Sequence, residues 1–366
     1  MKLVDLHRQY TSIKKPIDAA IKRIINSTDF ILGKDVDELE HAIAKFCKVP
    51  YAVGLNSGTD ALLFALRALG IKRGDEVITT PFTFIATAEM IALEGARPVF
   101  ADIDPATFNI DPKEIEKHIT KRTKAIIPVH LYGQPAAMQA IMKIAHKHKL
   151  PVIEDAAQAI GAKIANQPVC TFGEVGCLSF FPAKNLGCYG DGGMLLTRDK
   201  KVADRVRMML NHGSRIRYHH EFIGDSSRLD NLQAAILNAK LPYLNGWNKK
   251  RAAVARLYNT LLKSPVITPY VPKGFTSVFQ QYTIRIPNRT AVRKRLEKLG
   301  IPTAIHYPIP LHLQPAIKKL KLGYRQGDFP HSEKASREVL SLPMYPEITK
   351  SEIITVARAI NQAVHV

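Results

Sequence analysis

The 366-residue sequence predicts an α/β fold, with a large domain on a mostly parallel β-sheet and a smaller α+β domain after it. Three observations predict this fold. Between residues 35 and 200, short apolar runs alternate with longer amphipathic stretches, which is the pattern of strand–helix–strand crossover units. The apolar runs are nearly continuous, as expected for strands that helices cover on both faces. Beyond residue 263 the alternation ends, and the pattern becomes that of a small mixed domain.

Six apolar segments are predicted as strands of the large domain: 51–55, 76–80, 98–103, 125–131, 151–155 and 177–181. Amphipathic periodicity predicts helices at 61–69, at 136–148 and across 228–263. The tail contains an apolar segment at 281–286, a helix at 290–299, a segment at 301–307 and a closing helix at 350–364. We therefore place the large domain, with its N-terminal segment, at 1–245 and the small domain at 246–366.

The composition excludes several classes of protein. With 46% hydrophobic and 23% charged residues the chain is not disordered, and its 21 glycines and 23 prolines show no collagen-like period. It contains no uncharged apolar run of about 18 residues, so no membrane span is predicted. Asp5 and Arg8 stand where a signal peptide needs its apolar stretch, and we therefore expect a cytoplasmic protein.

The net charge of +20 is compatible with nucleic acid, an anionic membrane surface or a small polyanionic substrate as the ligand. Basic patches such as 249–251 and 318–319 are short and have no interleaved aromatic residues. We therefore expect no nucleic-acid binding, whereas a phosphorylated small molecule remains a suitable ligand.

The sequence predicts neither disulfides nor a metal site. The four cysteines contain no C-x-x-C pair and are expected to be reduced thiols. His219 and His220 are adjacent, and neighbouring side chains on a regular element point in different directions. No carboxylate–histidine spacing of a catalytic metal site accompanies them.

Ligands bind at the carboxyl ends of the strands in such a sheet, so the residues that follow each strand are the site candidates. Gly58 and Thr59 follow 51–55 at a helix start, where free N–H groups and the helix dipole hold a phosphate. The same pattern also serves as an ordinary N-cap. Phe84 follows 76–80, and an aromatic ring there either packs in the core or stacks on a flat ligand.

Two charged residues follow later strands. Asp155 is the last residue of the predicted strand 151–155, where burying a carboxylate is costly unless it is paired. A cationic ring nitrogen of a ligand is a suitable partner. The alternative interpretation is that Asp155 only caps the start of a helix. Lys184 follows 177–181, in a loop too rich in glycine to be a helix. A partly desolvated amine has a lowered pKa and condenses with carbonyl groups. A phosphate seat, a stacking ring, a carboxylate and this amine are together the parts that pyridoxal phosphate requires.

The sequence resembles the DegT/DnrJ/EryC1/StrS family of sugar aminotransferases, which are pyridoxal-phosphate enzymes with the aspartate-aminotransferase-like fold (fold type I). The resemblance covers nearly the whole chain and rests on motifs such as SGTDAL, TPFTFIATAE, PVHLYGQPA, VIEDAAQAIGA, SFFPAKNLGCYGDGG, SRLDNLQAAIL and HYPIPLHLQPA. It is strongest to the branch that aminates C3 of a UDP-linked 2-acetamido-3-keto-glucuronic acid in lipopolysaccharide O-antigen synthesis.

The resemblance implies a role for each candidate. Lys184 and Asp155 would be the catalytic residues, the first as the Schiff-base lysine and the second as the partner of the pyridinium nitrogen. The other cofactor contacts it implies are Gly58, Thr59 and Ser179 to the phosphate, Phe84 to the ring face and Gln158 to the 3-hydroxyl.

The resemblance also implies the partners. These are L-glutamate as the amino donor, a nucleotide-linked keto-sugar as the acceptor, and a second copy of the chain in a homodimer with shared active sites. Ser226 stands where relatives have an Asn that reaches the neighbour's cofactor phosphate. The residues expected on the substrate side are Tyr218, His219, Arg228, His306, Tyr307 and His312.

Three alternatives remain. A dTDP-3-keto-6-deoxyhexose or a 4-keto-sugar would be aminated by the same chemistry in a differently shaped pocket. A sister enzyme that dehydrates C3 of the sugar carries His in place of Lys184, so the lysine argues against it. A non-catalytic regulatory protein that binds pyridoxal phosphate is expected to lack the lysine, the aspartate or the phosphate site.

Overall fold

The structure is a computed structural model that describes residues 1–364. Its strands are β1 Tyr51–Leu55, β2 Glu76–Thr79, β3 Arg97–Phe100, β4 Thr123–Ile126, β5 Ile153–Asp155, β6 Lys163–Ile164, β7 Gln167–Pro168, β8 Val175–Ser179, β9 Gly193–Thr197, β10 Ser214–Ile216, β11 His219–His220, β12 Phe275–Thr276, β13 Tyr282–Arg285 and β14 Val339–Leu342.

Its helices are α1 Leu6–Ser12, α2 Lys14–Ser27, α3 Lys34–Cys47, α4 Gly58–Ala68, α5 Ala86–Leu93, α6 Pro112–Ile115, α7 Met138–His148, α8 Lys200–Met209, α9 Asn231–Lys240, α10 Leu244–Leu261, α11 Arg289–Lys298, α12 Pro315–Lys318, α13 Pro330–Glu338 and α14 Lys350–Ala363. Short 3₁₀ turns occupy Glu116–His118, Leu131–Gly133, Leu241–Tyr243 and Leu311–Leu313.

The central sheet is mostly parallel, as predicted. Its two parts have the orders β1-β9-β8-β5 and β3-β2-β4, and parallel bridges from Ile126 to Val152 and from Val129 to Asp155 join them. Strands β2, β3 and β4 are parallel to one another, as are β5 and β8. Strand β9 is the exception, because it runs antiparallel to both β1 and β8.

Strand β9 was not predicted from the sequence, and some predicted strands are too long. The predicted strand 125–131 begins at Thr123 and ends at Ile126. Pro128 follows two residues later, and its missing N–H cannot extend the ladder. The regular strand therefore ends early, although Val129 still bridges to Asp155, and the chain leaves the sheet at the 3₁₀ turn Leu131–Gly133.

Alternate residues of the central strands face two helical layers. Cys177 and Leu195 pack with the cluster formed by α4, α5 and α8, whereas Leu178 and Leu196 pack with α3 and α9. Both faces of the sheet are therefore buried, which explains the nearly continuous apolar runs of these strands.

The C-terminal part of the chain has a hydrophobic cluster of its own. Strands β13 and β14 pair antiparallel, and α10, α11 and α14 pack on them. Tyr258 and Tyr282 stack at its centre, with ring centroids 4.8 Å apart. The predicted domain boundary after residue 245 falls in the first turn of α10 and stays a prediction.

All four cysteines are buried and free. Burial raises the pKa of the Cys47 thiol to about 12 and that of Cys188 to about 11. Among residues 1–364, no group of three or more His, Cys, Asp or Glu side chains is placed to hold a metal ion. No helix in this described range is long and apolar enough to cross a membrane.

Candidate active site

A cavity of about 400 Å³ opens at the carboxyl edge of the central sheet. Its walls come from the residues that follow β1, β2, β5 and β8 and from two segments of the C-terminal part. The predicted site residues that line it are Gly58, Thr59, Phe84, Asp155, Gln158, Ser179, Lys184, His306 and Tyr307. Candidates widely separated in the sequence thus meet in one cavity.

One corner of the cavity is the start of helix α4. Ser57 caps this helix, since its hydroxyl accepts a hydrogen bond from the Asp60 N–H at 3.0 Å. A Cβ atom added at Gly58 would lie 2.7 Å from the Cβ of Ser179, which is too close, so glycine lets the start of α4 pack directly against the end of β8. The corner therefore combines a helix N-terminus with the Thr59 and Ser179 hydroxyl groups, a combination that suits an anion.

Asp155 ends β5 and is 5% exposed. Its Oδ2 accepts a hydrogen bond from the Thr87 hydroxyl at 2.7 Å, and its Oδ1 accepts one from the Ala157 N–H at 3.2 Å. Burial raises the pKa of Asp155, while these two hydrogen bonds and the charges of Lys184 and His130 oppose the rise. The carboxylate is therefore held by local donors within an apolar surrounding.

The neighbouring residue Glu154 points to the other side of β5. Its carboxylate accepts hydrogen bonds from the N–H groups of Cys170, Phe172 and Gly173, each at 2.8 Å, and lies 3.0 Å from Nε2 of His130. Both Glu154 and His130 are fully buried. This network anchors the strand that presents Asp155 to the cavity.

Lys184 lies in a tightly folded loop after β8. A Cβ at Gly187 would lie 2.3 Å from the Pro182 carbonyl oxygen, so the loop closes only around glycine. Two side chains from other elements fix its backbone, since Gln280 donates to the Ala183 carbonyl at 2.8 Å and Lys240 donates to the Gly187 carbonyl at 2.6 Å.

The Lys184 amine has an altered acidity. Burial lowers its pKa to about 8, and the nearby Asp155 charge opposes the lowering. An amine with an unperturbed pKa near 10.4 is almost wholly protonated at neutral pH. The cavity therefore raises the fraction of Lys184 that is neutral and nucleophilic.

Aromatic and amide groups form the opposite wall. Phe84 is 54% exposed, and its ring centroid lies 6.2 Å from that of Tyr307. The Tyr307 hydroxyl accepts a hydrogen bond from Nε2 of Gln158 at 3.1 Å, and Oε1 of Gln158 accepts one from the Tyr132 N–H at 2.7 Å. One hydrogen of the Gln158 amide group thus stays available to a ligand.

His306 also lines the cavity. Its Nδ1 lies 2.8 Å from the Ser341 hydroxyl oxygen. Burial and the charge of Lys184 lower its pKa, so the imidazole is neutral at neutral pH.

The other predicted substrate and interface residues lie outside the cavity wall. Tyr218 and His219 are exposed on the β10–β11 hairpin. Arg228 donates to Ser226 Oγ at 3.0 Å. His312 is 1% exposed and lies 3.1 Å from Glu333, packed against Phe329 in a separate cluster. A single chain therefore brings the other cofactor candidates together, but it does not bring these five, the cofactor candidate Ser226 among them, into the cavity.

Among the cavity-lining residues that sequence reasoning missed are Thr87, Gln280 and Gln281. Thr87 lies three positions after Phe84, in the first turn of α5, and this proximity was the available signal for it. No local signal marks the two glutamines, because they reach the cavity from a distant segment beside β13.

An amine with a lowered pKa, a buried carboxylate and an anion seat at the edge of a parallel sheet define a pyridoxal-phosphate enzyme of fold type I. The chain belongs to the DegT/DnrJ/EryC1/StrS aminotransferase family, whose model matches residues 11–361. Aminotransferases of this family use pyridoxal phosphate, so the protein is an aminotransferase with that cofactor.

Similar proteins cover nearly the whole chain. A "pleiotropic regulatory protein" of Geobacillus stearothermophilus is 49% identical over 96% of this chain and 95% of its own length. A UDP-2-acetamido-2-deoxy-3-oxo-D-glucuronate aminotransferase of Pseudomonas aeruginosa is 47% identical over 98% and 99%. The crystal structure of S. venezuelae DesV, in complex with a ketimine intermediate, has a TM-score of 0.97 at 40% identity and covers 100% of this chain and 98% of that one.

The residues of the cavity fit the cofactor. Gly58 lies at the N-terminus of α4 and lines the cavity, a position where a phosphate is stabilised by unpaired N–H groups. Lys184 would supply the amine, and Asp155 the buried carboxyl group that pairs with a pyridinium ring.

Proposed function

We propose that this protein transfers an amino group from L-glutamate to C3 of a UDP-linked 2-acetamido-3-keto-uronic acid, as a cytoplasmic homodimer in surface polysaccharide (O-antigen) synthesis. The observation that carries the proposal is the cavity in which Lys184 and Asp155 meet beside the start of α4. The proposed substrate class is supported by the P. aeruginosa relative, which is named for that activity and is 47% identical over 98% of this chain.

The cofactor contacts follow from the cavity wall. Backbone N–H groups of Gly58 and Thr59, with the Ser179 hydroxyl, would hold the phosphate. Phe84 would cover the ring, and the free Gln158 amide hydrogen would donate to the ring hydroxyl.

Pyridoxal phosphate, when bound, supplies an aldehyde that links to amines and a ring that withdraws electrons from the carbon next to that nitrogen. Lys184 performs two tasks around it. Its neutral Nζ would hold the cofactor aldehyde, and the same atom, once free, would move a proton at the reacting carbon. A pKa of about 8 allows Nζ to accept and to release this proton near neutral pH.

Asp155 acts through its charge. A carboxylate that stays ionised beside the ring nitrogen keeps that nitrogen protonated, and the positive ring then stabilises negative charge at the reacting carbon. The anchored strand β5 keeps the carboxylate in place, so no reorganisation is needed when that charge develops.

The rim of the cavity supports a nucleotide-sugar substrate. His306 and Tyr307 lie on the wall, with the His306 imidazole neutral, which suits hydrogen bonds to sugar hydroxyl groups. The net charge of +20 favours capture of a polyanionic nucleotide diphosphate. Tyr218, His219, Arg228 and His312 stay predictions for substrate contact.

The homodimer is supported by exposed apolar side chains. Ile216, Tyr218 and Ile223 of the hairpin segment are 71%, 80% and 99% exposed. Apolar surface of this kind marks an interaction site, and a second copy of the chain is the partner that the family resemblance implies. Docking of the hairpin on a neighbour would carry Ser226 toward the neighbour's phosphate, with a shorter reach than the Asn of relatives.

The name of the G. stearothermophilus relative suggests regulation as a second role. A purely regulatory protein has no need for a lysine with a lowered pKa facing a buried carboxylate. Both groups are present in the cavity, so we place catalysis first.

To test this proposal, the purified enzyme in its pyridoxamine form is mixed with each member of a panel of nucleotide keto-sugars. Amine transfer is measured by mass spectrometry of the product and by the return of the yellow colour. We expect the fastest transfer at C3 of the UDP-linked 2-acetamido-3-keto-uronic acid. Regeneration with a panel of amino acids should be fastest with glutamate. Faster transfer to dTDP-3-keto-6-deoxyhexose or to a 4-keto-sugar would contradict the substrate, and no transfer to any sugar would contradict the function.

A further inference from the structure

Thr87 contacts the buried carboxylate of the site directly. It lies in the first turn of α5, is 1% exposed, and donates its hydroxyl hydrogen to Oδ2 of Asp155 at 2.7 Å. Among residues 1–364, no other side chain donates a hydrogen bond to this carboxylate. The N–H of Ala157 reaches the other oxygen, so one hydroxyl and one backbone group fix the orientation of Asp155.

We propose that Thr87 is a positioning residue that keeps Asp155 ionised and in the orientation in which it pairs with the ring nitrogen of the cofactor. The inference rests on the proposed role of Asp155. It goes beyond that role because it assigns a task to a second residue, which acts through Asp155.

The surroundings of Asp155 show why it needs such a donor. Burial favours the neutral acid, and a neutral acid cannot keep a ring nitrogen cationic. The positive charge of Lys184 opposes this effect of burial, whereas Nε2 of His130 lies 3.0 Å from the Glu154 carboxylate. Cys177 and Tyr307 also face Asp155, and burial raises the pKa of both, so they stay neutral.

A hydroxyl that donates to a carboxylate favours the charged form, because the hydrogen bond is stronger to the ion than to the acid. When the Lys184 amine is neutral, its positive charge no longer favours the ionised form of Asp155. Thr87 then remains as a donor that no protonation step removes.

The chain offers a matched control. Thr79 in β2 is also fully buried, and its hydroxyl donates to the Ile127 carbonyl oxygen at 2.9 Å. Thr79→Val removes a buried hydroxyl of the same strand–helix unit without touching Asp155. Thr87→Val removes the donor at nearly constant volume, and Thr87→Ser restores it.

The experiment loads each variant with pyridoxal phosphate labelled with ¹⁵N in the ring and measures the ring-nitrogen chemical shift. The dissociation constant of the cofactor is measured in parallel by equilibrium dialysis. We expect Thr87→Val to move the shift toward the neutral-pyridine value and to weaken binding about tenfold to 100-fold, the range of a hydrogen bond to a charged group. Thr87→Ser and Thr79→Val should keep the wild-type shift.

Asp155→Asn separates this inference from the function on which it rests. If Asp155→Asn moves the shift but Thr87→Val does not, the Thr87 inference is overturned and the role of Asp155 stands. If Asp155→Asn leaves the shift unchanged, the role of Asp155 itself fails. Equal changes in Thr79→Val and Thr87→Val would show a packing effect and would also overturn the inference. If Thr87→Val does not fold, Thr87→Ala and Thr87→Ser provide the same contrast with and without a hydroxyl.

Discussion

The floor of the cavity and the β10–β11 hairpin are built differently. The floor, formed by Gly58, Asp155, Ser179 and Lys184, is buried or half-buried, and other elements hold it through hydrogen bonds within one chain. The hairpin segment, residues 214–223, carries apolar side chains that are exposed in the described chain. The floor is held by contacts within one chain, whereas the hairpin has exposed apolar side chains of the kind found at interfaces, so we expect the two regions to respond to different changes.

The strongest test of the floor is Lys184→Ala. We expect loss of multiple turnover and of the yellow absorbance, since proton transfer by a positioned base contributes about 10²–10⁴-fold and the covalent anchor is lost as well. Borohydride reduction and peptide mass spectrometry of the wild-type enzyme should place the cofactor on Lys184. Normal turnover of the variant, or a label on another lysine, would refute the assignment; the exposed Lys200→Ala is the control.

The hairpin interface is tested by Ile223→Asp, which puts a charge on a side chain that is 99% exposed in the single chain. If the hairpin docks on a second copy, the charge should weaken the dimer about 30-fold, the effect of losing a central interface contact. Sedimentation over a range of concentrations measures it. Ile267→Asp, at an isoleucine that is 54% exposed elsewhere, should leave the dimer intact. Equal effects in both variants, or in neither, would contradict the hairpin interface.

The pH dependence of cofactor capture is a smaller effect that tests the lowered pKa of Lys184. Because the folded-state pKa of Lys184 is about 8, the neutral amine increases about tenfold per pH unit below pH 8 and levels off above it. Capture of pyridoxal phosphate by the apoenzyme should follow that curve in stopped-flow absorbance. A rate that keeps rising to pH 10 would show an unperturbed lysine.

The positions of Asp155 and Lys184 in the cavity were easier to predict from the sequence than those of Tyr218 and His312, for a physical reason. A strand end fixes where the next side chain lies, so Asp155 and Lys184 could be placed from local pattern alone. Tyr218 and His312 were placed by motif, yet one lies on an exposed hairpin and the other is buried beside Glu333. Their positions depend on long-range packing and on a second chain, and neither leaves a local signal.

The same limit applies to the fold. The parallel strands were predicted because each is a short apolar run between helical patterns. Strand β9 was missed because it follows a glycine-rich turn and returns antiparallel between two strands that were already assigned. Thr87 and the glutamines beside β13 were missed because their neighbours in space are remote in sequence.

The position of β9 between β1 and β8 also affects the order in which the protein folds during its synthesis. Strands β1 and β8 carry the two halves of the phosphate seat, and neither bonds to the other; each pairs with β9. Gly193 at its start is so close to the backbone of Ser57 that an added Cβ would lie 2.2 Å from the Ser57 carbonyl carbon. A growing polypeptide therefore cannot assemble the seat until residues 193–197 have left the ribosome, although the segment bearing the reactive lysine emerges first.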